Sequence, residues 1–154
     1  MGVAVVGVGG AGQSIAKALA NKYRFADVYA MSDVKNFYNF FEFKDLGKAI
    51  RTLEAYDSII LTAGMGGRGG EYLLKLAERL NNVVAIFLCK PFRIERQRVR
   101  NAERQLLQLS FFEGKIFVKK LDELIDRMPD ATLSEALEIF DDEIASVIAE
   151  FIKN

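Results

Sequence analysis

The 154-residue chain is 51% hydrophobic and 27% charged, which excludes a disordered chain and fits one domain rather than two. Its 21 Lys and Arg residues balance 21 Asp and Glu residues, so no net field draws it to nucleic acid or to a membrane surface. With no histidine, and Cys89 as its one cysteine, it offers no imidazole base, no Ser-His or Cys-His pair, no zinc set and no intramolecular disulfide; a reducing cytoplasm suits it. No secretory signal precedes the first apolar run, and no run reaches the roughly 18 residues of a membrane span.

Val3 to Val8 is a continuous apolar run ending in glycines, the pattern of a buried parallel strand. An amphipathic helix is expected over Ser14 to Lys22, a second strand over Asp27 to Met31, and an irregular aromatic stretch over Asp33 to Phe43. A short helix over Leu46 to Glu54 leads to a strand at Ser58 to Thr62, which again runs into glycines at Ala63 to Gly70. Next come a helix at Glu71 to Leu80, a strand at Val83 to Leu88 and a helix at Arg93 to Leu109 with Val99, Ala102, Leu106 and Leu109 on one stripe. Lys115 to Val118 is a fifth strand and Leu121 to Arg127 a helical turn. Thr132 and Glu135 form a capping box opening a last helix that runs nearly to Asn154. Strands alternating with helices predict a doubly wound α/β domain, with a mainly parallel sheet of five or more strands covered on both faces.

Gly7, Gly9 and Gly12 form G-x-G-x-x-G between the first strand and the first helix. Glycines there let backbone approach a phosphate at the helix N-terminus, and Asp33 stands where a dinucleotide fold keeps its ribose-binding acid. The bland alternative is a set of turn glycines. A second cluster, Thr62-Ala63-Gly64-Met65-Gly66-Gly67-Arg68-Gly69-Gly70, follows another buried strand. Each glycine beyond the one or two a turn needs costs about 0.5–1 kcal/mol relative to alanine, so the surplus favours a phosphate site made of two amide-bearing loops.

Together with Lys90-Pro91-Phe92-x-Ile94-Glu95 and the last helix from Thr132 through Asp141-Asp142, these loops resemble the FtsZ/tubulin superfamily, in its FtsZ branch, over essentially the whole chain. The resemblance implies a Rossmann-like nucleotide domain that binds GTP or GDP, with magnesium entering only through the phosphates. It assigns the phosphates to Gly9, Gly10, Ala11, Gly12, Gln13 and Ser14 and to the second loop, Gly66, Gly67, Arg68, Gly69 and Gly70. It assigns the ribose to Glu95 and the guanine N1 and exocyclic amine to Asp141. The sequence supports the last assignment separately, because Asp141 interrupts an apolar stripe of Leu133, Leu137, Ile144 and Ile148, where a carboxylate needs donors.

The departures from the family pattern are specific. Arg68 replaces the third glycine of the second loop, Gly69 and Glu71 replace its two hydroxyl positions, Val99 stands at the family's arginine between Arg98 and Arg100, and Leu137 replaces a base-stacking aromatic. Phe37, Tyr38, Phe40, Phe41 and Phe43 fill the place of a glycine-rich loop; they either cap a sheet edge or form a patch for self-association or a protein partner. The family's catalytic loop and second domain would follow the last helix, so the expectation is a single nucleotide-binding domain, residues 1–154, with no catalytic residue, no protein-bound metal and little or no GTP hydrolysis or polymerisation. The arginines at 93, 96, 98, 100 and 104 spread around a helix among acids, which argues against nucleic acid. Two other readings stay open: a small NAD(P)-binding oxidoreductase domain using Asp33, and a degenerate scaffold working through protein contacts.

Overall fold

The structure, a computed structural model, describes residues 2–24 and 26–153. In chain order its elements are β1 (Val3–Val8), α1 (Gly9–Lys22), β2 (Asp27–Ser32), β3 (Phe40–Glu42), α2 (Leu46–Leu53), β4 (Ser58–Gly64), α3 (Arg68–Arg79), β5 (Val83–Lys90), α4 (Arg96–Gln108), β6 (Lys115–Lys120), α5 (Asp122–Arg127) and α6 (Leu133–Lys153). Asn154, which the last helix was expected to approach, lies outside the described residues. The strands pair in the order β3-β2-β1-β4-β5-β6, and every pairing is parallel. Strand order reverses between β1 and β4, where such sheets open a crevice at the carboxyl ends of their strands.

Alternating side chains of the central strands feed a core on each face of the sheet. Val6, Leu61 and Ile86 pack under α2, α3 and α4, whereas Val5, Ile60 and Phe87 pack under α1 and α6. That double burial explains why β1, β4 and β5 read as unbroken apolar runs. Half of the capping box forms: Thr132 Oγ1 accepts the Glu135 amide at 3.2 Å, while the Glu135 carboxylate takes the Thr132 hydroxyl at 2.8 Å.

Three sequence expectations shift. Helices α1 and α3 begin at Gly9 and Arg68, inside the glycine loops, so each loop is the first turn of a helix. The stripe of α6 is displaced. Leu133 is exposed and Leu137 half-buried, and Ala136, Phe140, Ile144 and Ile148 carry the buried face. The aromatic stretch contributes β3, whose three residues pair with the Ala30–Ser32 edge of β2. Phe37, Phe41 and Phe43 are buried, Phe40 is half-buried, and Tyr38 alone of the five is exposed. Of the two roles open to this segment, capping the sheet edge is the one these burials describe.

Phe41 stacks on Tyr29 at 5.3 Å between centroids and is 7% exposed. Phe41→Ala is therefore expected to lower unfolding free energy by about 3–5 kcal/mol in denaturant melts while leaving the sedimentation profile unchanged. A changed sedimentation profile with unaltered stability would return Phe41 to the surface.

Candidate functional site

Two helix N-termini meet at the switch point. The 14-residue α1 and the 12-residue α3 both start at the carboxyl edge of the sheet, and the first amides of each have no intrahelical acceptor. Two glycines set the entry angles, with φ of +80° at Gly9 and +94° at Gly66, conformations that side chains rarely adopt. The loops then touch backbone to backbone. A Cβ at Gly69 would lie 2.7 Å from the Val8 carbonyl oxygen, and one at Gly9 would lie 2.8 Å from Gly69 Cα. Several glycines that looked surplus are thus required by loop-on-loop contact.

The cleft between the loops holds about 300 Å³ and is lined by Gly9, Gly10, Ala11, Gly67, Arg68 and Gly69, with Ser32, Asp33 and Phe43 at its β2–β3 end. A smaller cavity of about 90 Å³ adjoins it and is lined by Glu95, Leu137, Phe140, Asp141, Cys89 and Pro91. Ala11, Gly64 and Arg98 line both, so the two cavities lie side by side, and together they are called the trough. The trough brings together Gly9, Gly10 and Ala11 of the first loop and Gly67, Arg68 and Gly69 of the second with Glu95 and Asp141.

Other expected site residues lie behind the trough. A Cβ at Gly12 would sit 2.8 Å from the Thr62 carbonyl oxygen, so Gly12 closes α1 onto β4. Gln13 is buried and spends its amide on the β2–β3 connection, donating to the Val34 carbonyl at 3.0 Å and accepting the Asn36 amide at 2.9 Å. Ser14 is exposed and donates to the Gly10 carbonyl at 3.2 Å. Gly66 and Gly70 pack against α4 rather than the trough.

Gln105 is what they pack against, and sequence reasoning missed it. This fully buried side chain accepts the Gly66 amide at 2.8 Å and donates to the Gly67 carbonyl at 3.1 Å and to Glu71 Oε1 at 3.1 Å. Any Cβ at Gly70 would overlap its amide. The α4 stripe read from the sequence placed Leu106 where Gln105 faces inward; a polar residue one position from an apolar stripe was the only available signal. Arg98 was noted as a flank of Val99, yet it is Arg98 that lines the trough.

Electrostatics differ at the two ends. No hydrogen bond or ion pair among the described residues reaches the Asp141 carboxylate. Burial, then the nearby Asp142 and Glu138 charges, push its carboxyl up to about 7. Burial also pushes the adjoining Cys89 thiol up to about 12, which leaves it an unreactive neutral wall. At the other end, Arg68 Nη1 donates to Asp33 Oδ2 at 2.8 Å, with its guanidinium carbon 5.1 Å over the Phe43 ring. Burial alone would raise Glu71, but hydrogen bonds from Arg104 and Gln105 outweigh it and hold this carboxyl below the usual range.

Comparisons with known proteins bear on the fold. No family model matches the chain. It is 32% identical to an uncharacterized protein of Archaeoglobus fulgidus over 98% of its own length and 94% of the relative's. It is 26% identical to cell division protein FtsZ 2 of Methanocaldococcus jannaschii, covering 62% of this chain and 26% of that protein. For FtsZ 2 of Halobacterium salinarum the figures are 30% identity, 60% and 24%. Among solved structures, an empty FtsZ dimer of M. jannaschii superposes with a TM-score of 0.81 at 17% identity, over 98% of this chain and 54% of that one. TubZ of the Clostridium botulinum phage c-st gives 0.67 at 10% identity, over 98% and 60%. The chain thus spans about a quarter of the FtsZ 2 proteins and about half of the solved FtsZ chain.

The fold and the sequence relations define an FtsZ/tubulin-like domain. Within that class the chain belongs to one family with the Archaeoglobus protein, which it matches nearly end to end.

Gln105→Leu is expected to cost about 1–3 kcal/mol of stability, because it leaves the buried Gly66 amide unsatisfied. Hydrogen exchange should accelerate first at Gly66 to Glu71. Unchanged exchange there would remove Gln105 from its place as the clamp of this loop.

Proposed function

We propose that the chain is a single guanine-nucleotide-binding domain, working in the cytoplasm, that holds GTP or GDP along the trough. The observation that carries this reading is that the two cavities adjoin and share lining residues. Amides of two helix N-termini stand at one end, an unpartnered carboxylate stands at the other, and Ala11, Gly64 and Arg98 lie between. Helix N-termini favour the phosphates. Asp141 offers two acceptor oxygens to the paired donors on the guanine edge, N1–H and the exocyclic amine; adenine lacks that pair. Glu95, whose Oε2 already accepts the Phe92 amide at 3.2 Å, is held beside the same cavity for the ribose. Magnesium, if recruited, would enter with the phosphates.

These 154 residues are expected to hydrolyse GTP negligibly and to form no GTP-dependent filaments. A general base must reach the attacking water with an available lone pair. Glu71, the acid of the second loop, is engaged by Arg104 and Gln105. Phosphate release assayed with and without magnesium should match the protein-free rate. Turnover that rises with protein concentration and is lost in Glu71→Gln would contradict this.

Binding should prefer GDP to ADP by tenfold or more, about 1.4 kcal/mol, in calorimetry. Gly10→Val tests the phosphate end cleanly: nothing lies within 4 Å of a Cβ there, so the fold tolerates the branch while the trough loses its floor. GDP affinity should disappear in a variant with an unchanged melting curve. Normal affinity would assign the loop glycines to packing alone.

The elevated carboxyl of Asp141 fixes the pH dependence. Guanine donors favour the charged form, so binding releases a proton, and GDP affinity should rise about tenfold from pH 6 to pH 8 as Asp141 ionises. Folding runs the opposite way. A carboxyl raised above its unfolded value contributes stability below about pH 4, and this is lost as pH climbs towards 7. Asp141→Asn should flatten both profiles once phosphate titration is subtracted with ADP as reference. A persisting slope would place the titrating group elsewhere.

A further inference from the structure

The β2–β3 end of the trough carries charge chemistry that guanine binding alone does not use. Arg68 opens α3, directly beside the amides of the second loop, and lines the same cleft as Gly10 and Gly67. Its guanidinium is not free. It rests on Phe43, which is 4% exposed and stacked at 4.1 Å on Tyr72, and it donates to Asp33 Oδ2 at 2.8 Å. Asp33 reaches the cleft from the end of β2, just past Ser32. Its backbone connection is fixed in turn, because Gln13 binds the Val34 carbonyl and the Asn36 amide. A cation and an anion therefore share the far end of an anion-binding trough, each positioned by packing from a different element.

We propose that Asp33 is a specificity-determining residue that biases the trough towards a nucleoside diphosphate over the triphosphate, by competing with the terminal phosphate for Arg68. The inference rests on the reading of the trough as a guanine-nucleotide site. With the base at Asp141, successive phosphates extend past Ala11 and Gly64 towards Arg68 and Asp33. Each further phosphate adds negative charge on that side of the trough. The third approaches an Arg68 whose charge Asp33 already cancels, and it meets the Asp33 carboxylate itself. The shorter diphosphate finds its donors among the loop amides and Arg98, which lines both cavities. Because the Arg68–Asp33 pair is more than half exposed on both sides, it is weak enough to be broken by a ligand. Asp33 acts as a bias on the ratio of the two ligands, with little effect on folding.

Calorimetry with GDP and with the β,γ-imido analogue of GTP, each in EDTA and in magnesium, tests the proposal on the intact chain. The unaltered protein should bind GDP at least about fivefold more tightly than the triphosphate in EDTA. Asp33→Asn should move that ratio about tenfold towards the triphosphate, chiefly by strengthening triphosphate binding. Adding Arg68→Gln to Asp33→Asn should return the ratio, whereas Arg68→Gln alone, which leaves the Asp33 carboxylate unpaired, should move it further towards the diphosphate. A ratio that stays within twofold between the unaltered protein and Asp33→Asn overturns the proposal while leaving guanine binding intact. Absence of binding by either nucleotide to the unaltered protein overturns both. Melting curves of the variants should coincide with the parent's.

Discussion

Backbone lies against backbone where the first two glycine loops meet, and the rest of the site depends on that contact. Gly69 occupies space beside the Val8 carbonyl and Gly9 that no side chain could share. This approach lets α1 and α3 start side by side at the switch point of the sheet, with their unpaired amides directed to one cleft. Gln105 secures the arrangement from behind by taking up the buried Gly66 amide and by donating to the Gly67 carbonyl, which also accepts the Glu71 amide. Gly12 does the same for α1 by allowing it to sit against Thr62. The glycine content is therefore divided. Gly10 and Gly67 leave space facing the cleft, while Gly9, Gly12, Gly66, Gly69 and Gly70 are fixed by contacts within the protein.

Along the trough that results, electrostatic character changes from one end to the other. Asp141 lies among Leu137, Phe140, Pro91 and Cys89, a low-polarity wall that makes its charge costly until donors arrive. The middle is backbone amide and glycine, with Arg98 reaching across. The far end pairs Arg68 with Asp33 on an aromatic base formed by Phe43 and Tyr72. A ligand with planar donors at one end and a short anionic chain at the other satisfies each part.

Much of this was legible in the sequence, for identifiable reasons. Buried parallel strands announce themselves as apolar runs, so β1 was found to the residue and β4 and β5 to within two residues at their ends, because both their faces are covered. β3 was not, since three residues at a sheet edge carry no period and its aromatics suit packing or exposure equally well. Glycine has poor helix propensity, so the first turns of α1 and α3 read as loop. Asp141 was visible as a carboxylate within an apolar stripe even though Leu133, counted in that stripe, is exposed. Gln13 and Ser14 were assigned to the ligand by position in a motif, and motif spacing does not say which way a side chain turns on a helix. The roles of Gln105, Arg98 and the Arg68–Asp33 pair arise from contacts between residues more than 30 positions apart, which no local pattern encodes.

The central claim is that one trough takes a guanine nucleotide with its base at Asp141 and its phosphates on both glycine loops. Amide chemical-shift mapping during GDP titration tests it most directly, because it reports each part of the trough separately. The account predicts saturable shifts at Gly10, Ala11, Gly67 and Gly69 and, with the same dissociation constant, around Asp141. Shifts confined to one end, or none at millimolar GDP, would contradict it.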